Sequence, residues 1–232
     1  MLKTIKRVFP YSRFARIPHN AFVFLLFIFP LIAVTSLACR KKSCDTPLPY
    51  YGARGPVFTK DSVHIDSVLH TVPEFVLTDQ YGNDFASGQL DGKVYVVDFI
   101  FTSCPSICPL MTRQMNRLRS MTDTSNVFLL SITVDPKRDT PEALRDYIAQ
   151  NSLNAVNWYF LTGKTKEIYP LGWYGFKLSM AINKSSPGGF IHSEKFVLVD
   201  ANGHIRGFYD GTNSVEVQEL ALDITCLLKE KT

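Results

Sequence analysis

The chain has 232 residues, 46% of them hydrophobic, which is enough for one sizeable core. Its formal net charge is +4, but Lys3, Lys6, Arg7, Arg13 and Arg16 all precede an apolar run, and taking those five from +4 leaves about −1 for the rest. A near-neutral body excludes nucleic-acid binding as the main task, which needs a concentrated basic face, and five cysteines in a chain of this size argue against a disulfide-stapled scaffold.

Residues 1–38 read as an address. No acidic residue precedes Asp45, and the basic stretch is followed by the apolar run Ala21 to Ala38. That is the order of an export signal. A run of about 18 residues is also long enough to span a bilayer, although Pro30 inside it favours a signal over a permanent span. Ser36-Leu37-Ala38-Cys39 resembles a bacterial lipoprotein cleavage box, in which Cys39 would be acylated; Ser36 departs from it, an aliphatic residue being usual there. An acylated lipoprotein, an uncleaved anchor and a free secreted form all place the rest of the chain outside the cytoplasm, facing the periplasm or the cell exterior.

Residues 39–70 have no sustained period and carry PLPYYGARGP, so they are expected to be a tether in which Cys44 is a free thiol. The domain is expected over 71–232. Pro73 to Thr78 predicts a short strand turned by Gln80 to Asn83. Lys93 to Phe101 is a near-continuous apolar run that suits a central strand buried on both faces. Ile107, Met111, Met115, Leu118 and Met121 then recur at helical spacing, and the methionines among them read as core.

Val127 to Val134 predicts a second buried strand, and Thr140-Pro141 opens a helix as N-cap and first helical residue. Trp158 to Leu161 predicts a strand and Lys164 to Tyr174 a helix. Lys195 to Asp200 and Ile205 to Tyr209 flank a turn and predict a β-hairpin. Val217, Leu220, Ile224 and Leu227 put an apolar stripe on a last helix, where Cys226 reads as a small buried hydrophobe. Strands alternating with helices, then a hairpin and a final helix, predict an α/β domain of the thioredoxin-like kind, with a central sheet flanked by helices.

The chemistry concentrates in Cys104-Pro105-Ser106-Ile107-Cys108-Pro109, between a buried strand and a helix start. Two cysteines four apart there can turn their sulfurs to one side, and a helix N-terminus favours thiolates. Two thiolates are a soft pair suited to Cu(I). A redox pair of the thioredoxin type is Cys-x-x-Cys; the extra residue here tilts the reading toward metal without forbidding a disulfide.

A third ligand would suit imidazole, and His19, His64, His70, His192 and His204 compete for it. His192 follows the Ser185-Ser186-Pro187-Gly188-Gly189 loop and precedes a strand, so a mobile loop can deliver it. Asp98 lies inside an apolar strand, where a buried carboxylate needs a partner or a proton.

KVYVVDFIFTSCPSICPLMTRQM, SITVDPKRDTPEAL and GGFIHSEKFVLVDANGHIRGFYDG together resemble the hallmark segments of the Sco/SenC family over roughly residues 70–230. The resemblance implies one copper ion per chain held by Cys104, Cys108 and His192, and a carboxylate near the metal at Asp135 in the segment Asp135 to Thr140. It also implies a metallochaperone that serves the binuclear copper site of cytochrome c oxidase, with that enzyme's copper-bearing subunit or another copper carrier as partner. Ile191 stands where many members have Asp, which removes one carboxylate that could orient His192.

A second function class is a membrane-tethered thiol–disulfide oxidoreductase acting on that site's cysteines, which needs Cys104 and Cys108 but not His192. A thiol peroxidase would need an arginine beside the thiolate, and none stands beside the motif, Arg113 being the nearest.

Overall fold

The computed structural model describes residues 44–52, 55–59, 62–123 and 125–230; the export segment and Cys39 lie outside them. Gly55–Thr59 (β1) and Ser62–Val68 (β2) pair antiparallel. They fall inside the stretch expected to be a tether. Val76–Thr78 (β3) and Asp84–Ala86 (β4) form a second small hairpin. The Asp79 carboxylate accepts the amides of Tyr81 and Asn83 at 2.8 and 2.9 Å and shapes its turn.

Val94–Ile100 (β5) is buried along its whole length, as its apolar run requires. Cys108–Met121 (α1) follows a short loop and buries Met111, Met115 and Leu118, while Met121 stays on the surface. Val127–Thr133 (β6) is likewise buried. Pro141–Gln150 (α2) starts where expected, with the Thr140 hydroxyl accepting the Ala143 amide at 3.3 Å. Trp158–Leu161 (β7) precedes Thr165–Pro170 (α3), which runs into a wider turn over Leu171–Gly175. Met180–Ile182 (β8) pairs antiparallel with Phe190–His192 (β9). Lys195–Val199 (β10), Ile205–Asp210 (β11) and the helix Ser214–Glu230 (α4) complete the domain.

The main sheet has the order β11-β10-β5-β6-β7. β5, β6 and β7 are parallel, and β10 is antiparallel to both β5 and β11. The expected α/β, thioredoxin-like arrangement is present, and the C-terminal hairpin β10–β11 is built into the sheet as its edge. Burial of β5 and β6 on both faces explains why their sequences lack alternation. Among the described residues no helix is long and apolar enough to cross a membrane.

Two cysteine expectations are corrected. Cys44 is not a free thiol and Cys226 is not merely a small hydrophobe: they form a disulfide across a sequence separation of 182. The odd cysteine count argued against a disulfide-stapled scaffold; among the described cysteines Cys104 and Cys108 are free and Cys44 pairs with Cys226, while Cys39 lies outside the described residues. The segment after Cys44 is pinned as well. Arg206 donates to the carbonyls of Leu48 (2.7 Å) and Pro49 (3.3 Å), its guanidinium lies 4.2 Å from the Tyr50 ring centroid, and the Tyr51 amide donates to Ile205 O at 2.9 Å.

Candidate metal centre

β5 ends at Ile100, and the chain turns through Thr102 to Ile107 before α1 begins at Cys108. Cys108 is therefore the first residue of the helix, where backbone N–H groups have no intrahelical acceptor. Its amide donates to Cys104 Sγ at 3.5 Å, and Ser106 Oγ lies 3.9 Å from the same sulfur. The hydrogen bond from the Cys108 thiol holds the Cys104 thiol well below the ordinary thiol range, with the helix-start amide adding to it. The same hydrogen bond, together with burial, holds the Cys108 thiol well above that range. One proton thus stays on the pair, on the more deeply buried sulfur.

His192 closes the group from the end of β9. Its Nε2 lies 3.3 Å from Cys108 Sγ, and its Nδ1 faces the Ser193 carbonyl at 3.1 Å. A carbonyl only accepts, so Nδ1 carries the proton and donates, leaving the Nε2 lone pair toward the sulfurs. The three ligating atoms lie within 4.8 Å of one another, and all three residues are buried. Two sulfurs and one imidazole nitrogen at that spacing are a donor set that suits a single copper ion. Phe101 walls the site, its ring edge-on to His192 at 5.7 Å between centroids. A groove of about 420 Å³, lined in part by Lys177, Leu178, Ile191 and Phe208, opens onto His192.

The loop before His192 carries hydrogen bonds of its own. Asn183 N donates to Gly189 O, Ser186 N to Asn183 O and Gly189 N to Ser186 O, at 2.9–3.0 Å. The other histidines are engaged elsewhere or undescribed. His70 Nε2 bonds Gly175 O at 2.7 Å, and His204 Nδ1 bonds His70 O at 3.0 Å. His19 lies outside the described residues, and only the backbone of His64, in β2, is described.

Asp135 does not belong to the ligand group. It is buried and pairs with Arg138, which also donates to Gly188 O at 3.1 Å. The buried acid that touches the cysteine loop directly is Asp139, which sequence reasoning passed over. Its carboxylate accepts the Thr102 amide (3.1 Å) and hydroxyl (2.6 Å), and also the Thr133 hydroxyl. The signal was available in the second acid of Asp135-Pro136-Lys137-Arg138-Asp139-Thr140, which precedes a capping threonine. Asp98 is fully buried, as its setting required. Ser131 donates to one of its oxygens at 2.6 Å, Trp158 Nε1 donates to Ser131 at 3.0 Å, and the other carboxyl oxygen has no hydrogen-bond partner among the described residues. Burial pushes the Asp98 carboxyl up to about 7, against the lowering pull of the Ser131 hydroxyl.

Residues 65–229 match the protein-family model described as SCO1/SenC. The chain is 34% identical over 164 residues to the SCO1 protein homolog of Bacillus subtilis (strain 168), covering 68% of this chain and 83% of that protein. A crystal structure of a SCO1/SenC family lipoprotein from Bacillus anthracis superimposes with a TM-score of 0.64 at 31% identity, covering 68% of this chain and 95% of that one. BsSco, described as a member of the Sco family of cytochrome c oxidase assembly proteins with a disulfide switch, gives 0.60 at 32% identity over 68% and 93%. Copper-bound ScoI from Bradyrhizobium japonicum gives 0.58 at 26% identity over 68% and 99%.

Proposed function

The chain belongs to the SCO1/SenC family, and from that premise we propose that it is a metallochaperone carrying one copper ion on Cys104, Cys108 and His192. The observation that carries the reading is the buried Cys-Cys-His group with its Nε2 lone pair turned toward the sulfurs. Copper is cargo here. Thiolates hold Cu(I), the groove beside His192 gives a partner access to it, and the relatives' place in cytochrome c oxidase assembly supports that enzyme's binuclear copper site as the destination. The copper-bearing subunit of the oxidase, or another copper carrier, is the partner that reading requires. Residues 1–38 would export the domain and 39–70 lead into it, with Cys39 acylated or the apolar run retained as an anchor. A lipoprotein among the structural relatives supports the first form.

Metal analysis of the protein lacking residues 1–38 tests the reading. One copper per chain is expected, lost in Cys104→Ser or Cys108→Ser and weakened in His192→Ala. No uptake, or uptake indifferent to His192, would end it.

The free dithiol, with Cys104 held as the more acidic thiol, supports a second activity in thiol–disulfide exchange. That activity needs both cysteines and not His192. Full exchange activity in His192→Ala would favour it over copper carriage.

A further inference from the structure

The turn that follows β6 holds both halves of the ligand group. On the cysteine side, Asp139 takes the amide and hydroxyl of Thr102, two residues before Cys104. On the histidine side, Arg138 reaches across to the loop that carries His192. Its Nη2 donates to Gly188 O at 3.1 Å, and its guanidinium carbon lies 5.7 Å from the Phe190 ring centroid. Its Nε is held by the buried carboxylate of Asp135. The backbone that carries that carboxylate is itself fixed in place. The Asp135 amide donates to the Thr133 hydroxyl at 2.9 Å, and the Asp135 carbonyl accepts the amides of Arg138 and Asp139.

The loop end gripped by Arg138 also packs on the end of β5. Phe190 lies 5.3 Å from the Phe101 ring, and Phe101 lies edge-on to His192. Arg138 therefore touches the backbone four residues before His192 and the side chain two residues before it, while standing on the same turn that anchors the cysteine loop.

We propose that Arg138 is a positioning residue, a latch that holds the His192 loop closed over the cysteine pair, so that release of this latch sets how fast bound copper is handed on. Asp135 then acts through Arg138 and not on the metal. Most of the Arg138 side chain is exposed, at 57% against 6% for Asp135, so the latch is reachable from solvent while its anchor is not. An arginine is required for this geometry. One planar fork serves the carboxylate and the carbonyl at once and still stacks on a ring, which a lysine ammonium cannot do. A charged-donor hydrogen bond with a ring contact amounts to about a tenfold change in an opening equilibrium.

The inference rests on the copper reading only for its second arm. The first arm is hydrogen exchange on the metal-free full-length chain. Arg138→Gln is expected to speed exchange at Asn183, Gly189 and the paired amides of β8–β9 about tenfold. Exchange at the amides of β5 and β6 stays unchanged, and Arg138→Lys falls between. Unchanged exchange in Arg138→Gln overturns the latch. The second arm loads Cu(I) and follows its transfer to a colorimetric Cu(I) chelator. Transfer from Arg138→Gln is expected to be faster by the same factor, at unchanged stoichiometry. A loosened loop with unchanged transfer overturns the gating role. Failure of the wild-type chain to take up copper removes the carrier reading, and the exchange arm still decides whether Arg138 closes the loop.

Discussion

The thiol of Cys108 donates to the sulfur of Cys104 and its amide points at the same sulfur from 3.5 Å, which together make the first cysteine of the pair the anion and the second the donor. Of the Cys104–Cys108 pair, an alkylating reagent is therefore expected to modify one thiol only at and below neutral pH, and peptide mapping should find that label on Cys104. Its thiol loses its proton below the ordinary range, so labelling should persist as pH falls where a free cysteine stops reacting. Cys108→Ala removes the side-chain donor and should return the labelling profile toward that of an ordinary thiol. Equal labelling of both cysteines would contradict this assignment.

Asp98 makes stability depend on pH in a definite direction. Its folded value, about 7, lies above the ordinary carboxylate value of 3.8, so the folded chain holds a proton that the unfolded chain gives up. The stabilising contribution is full below 3.8 and is lost as pH rises through about 7. Asp98→Asn keeps an acceptor for Ser131 and cannot ionise. Urea denaturation should show the variant gaining on the wild type between pH 5 and pH 8, by on the order of a few kcal/mol. Parallel pH profiles for the two proteins would refute the assignment.

The Cys44–Cys226 bond closes a loop with a sequence separation of 182, long enough for a large effect on the unfolded chain. Cys226→Ala should cost about 2–5 kcal/mol in denaturant unfolding. Dithiothreitol should lower the wild type to the level of the variant and leave the variant itself unmoved, because Cys104 and Cys108 are already free. A thiol count on the unfolded chain, with and without reductant, checks the pairing directly.

Gly188 adopts φ +81°, and a Cβ built on it would lie 2.5 Å from the Phe101 ring. Gly188→Ala must therefore strain the backbone and push the ring that contacts His192. Gly189, at φ +90°, has nothing within 4 Å of such a Cβ, so Gly189→Ala carries the backbone cost alone. The NMR signals of His192 should shift in the first variant and hold in the second. Similar shifts in both would mean that the Phe101 contact is irrelevant to the ligand.

The parts legible in the sequence are those with local signals. β5 and β6 announce themselves as unbroken apolar runs, α2 by Thr140-Pro141, and the cysteine pair by its place between strand and helix. His192 needed the family resemblance, because what selects it over four other histidines is a contact with Cys108 across 84 residues. The disulfide was illegible for the same reason, since its partners sit at opposite ends of the domain. The stretch 44–52 looked like linker because it has no period. Its order comes from Arg206, whose partners are backbone carbonyls, and a carbonyl leaves no mark on composition. Asp135 was noticed and Asp139 was not, although both are buried; only the folded turn shows that they face different halves of the centre.

β11 is the last strand of the main sheet, and an unpaired strand edge is a template on which other chains can build. Here the segment behind Cys44 lies across its start, with Tyr51 bonded to Ile205 and its ring against Phe208 at 5.3 Å. Oxidation of Cys44 thus does more than tie two ends together, because it keeps a cover on a self-association edge. Chains made where thiols stay reduced lose that fastening, and their first fault is expected to be soluble oligomers joined through β11, ahead of any loss of the metal centre.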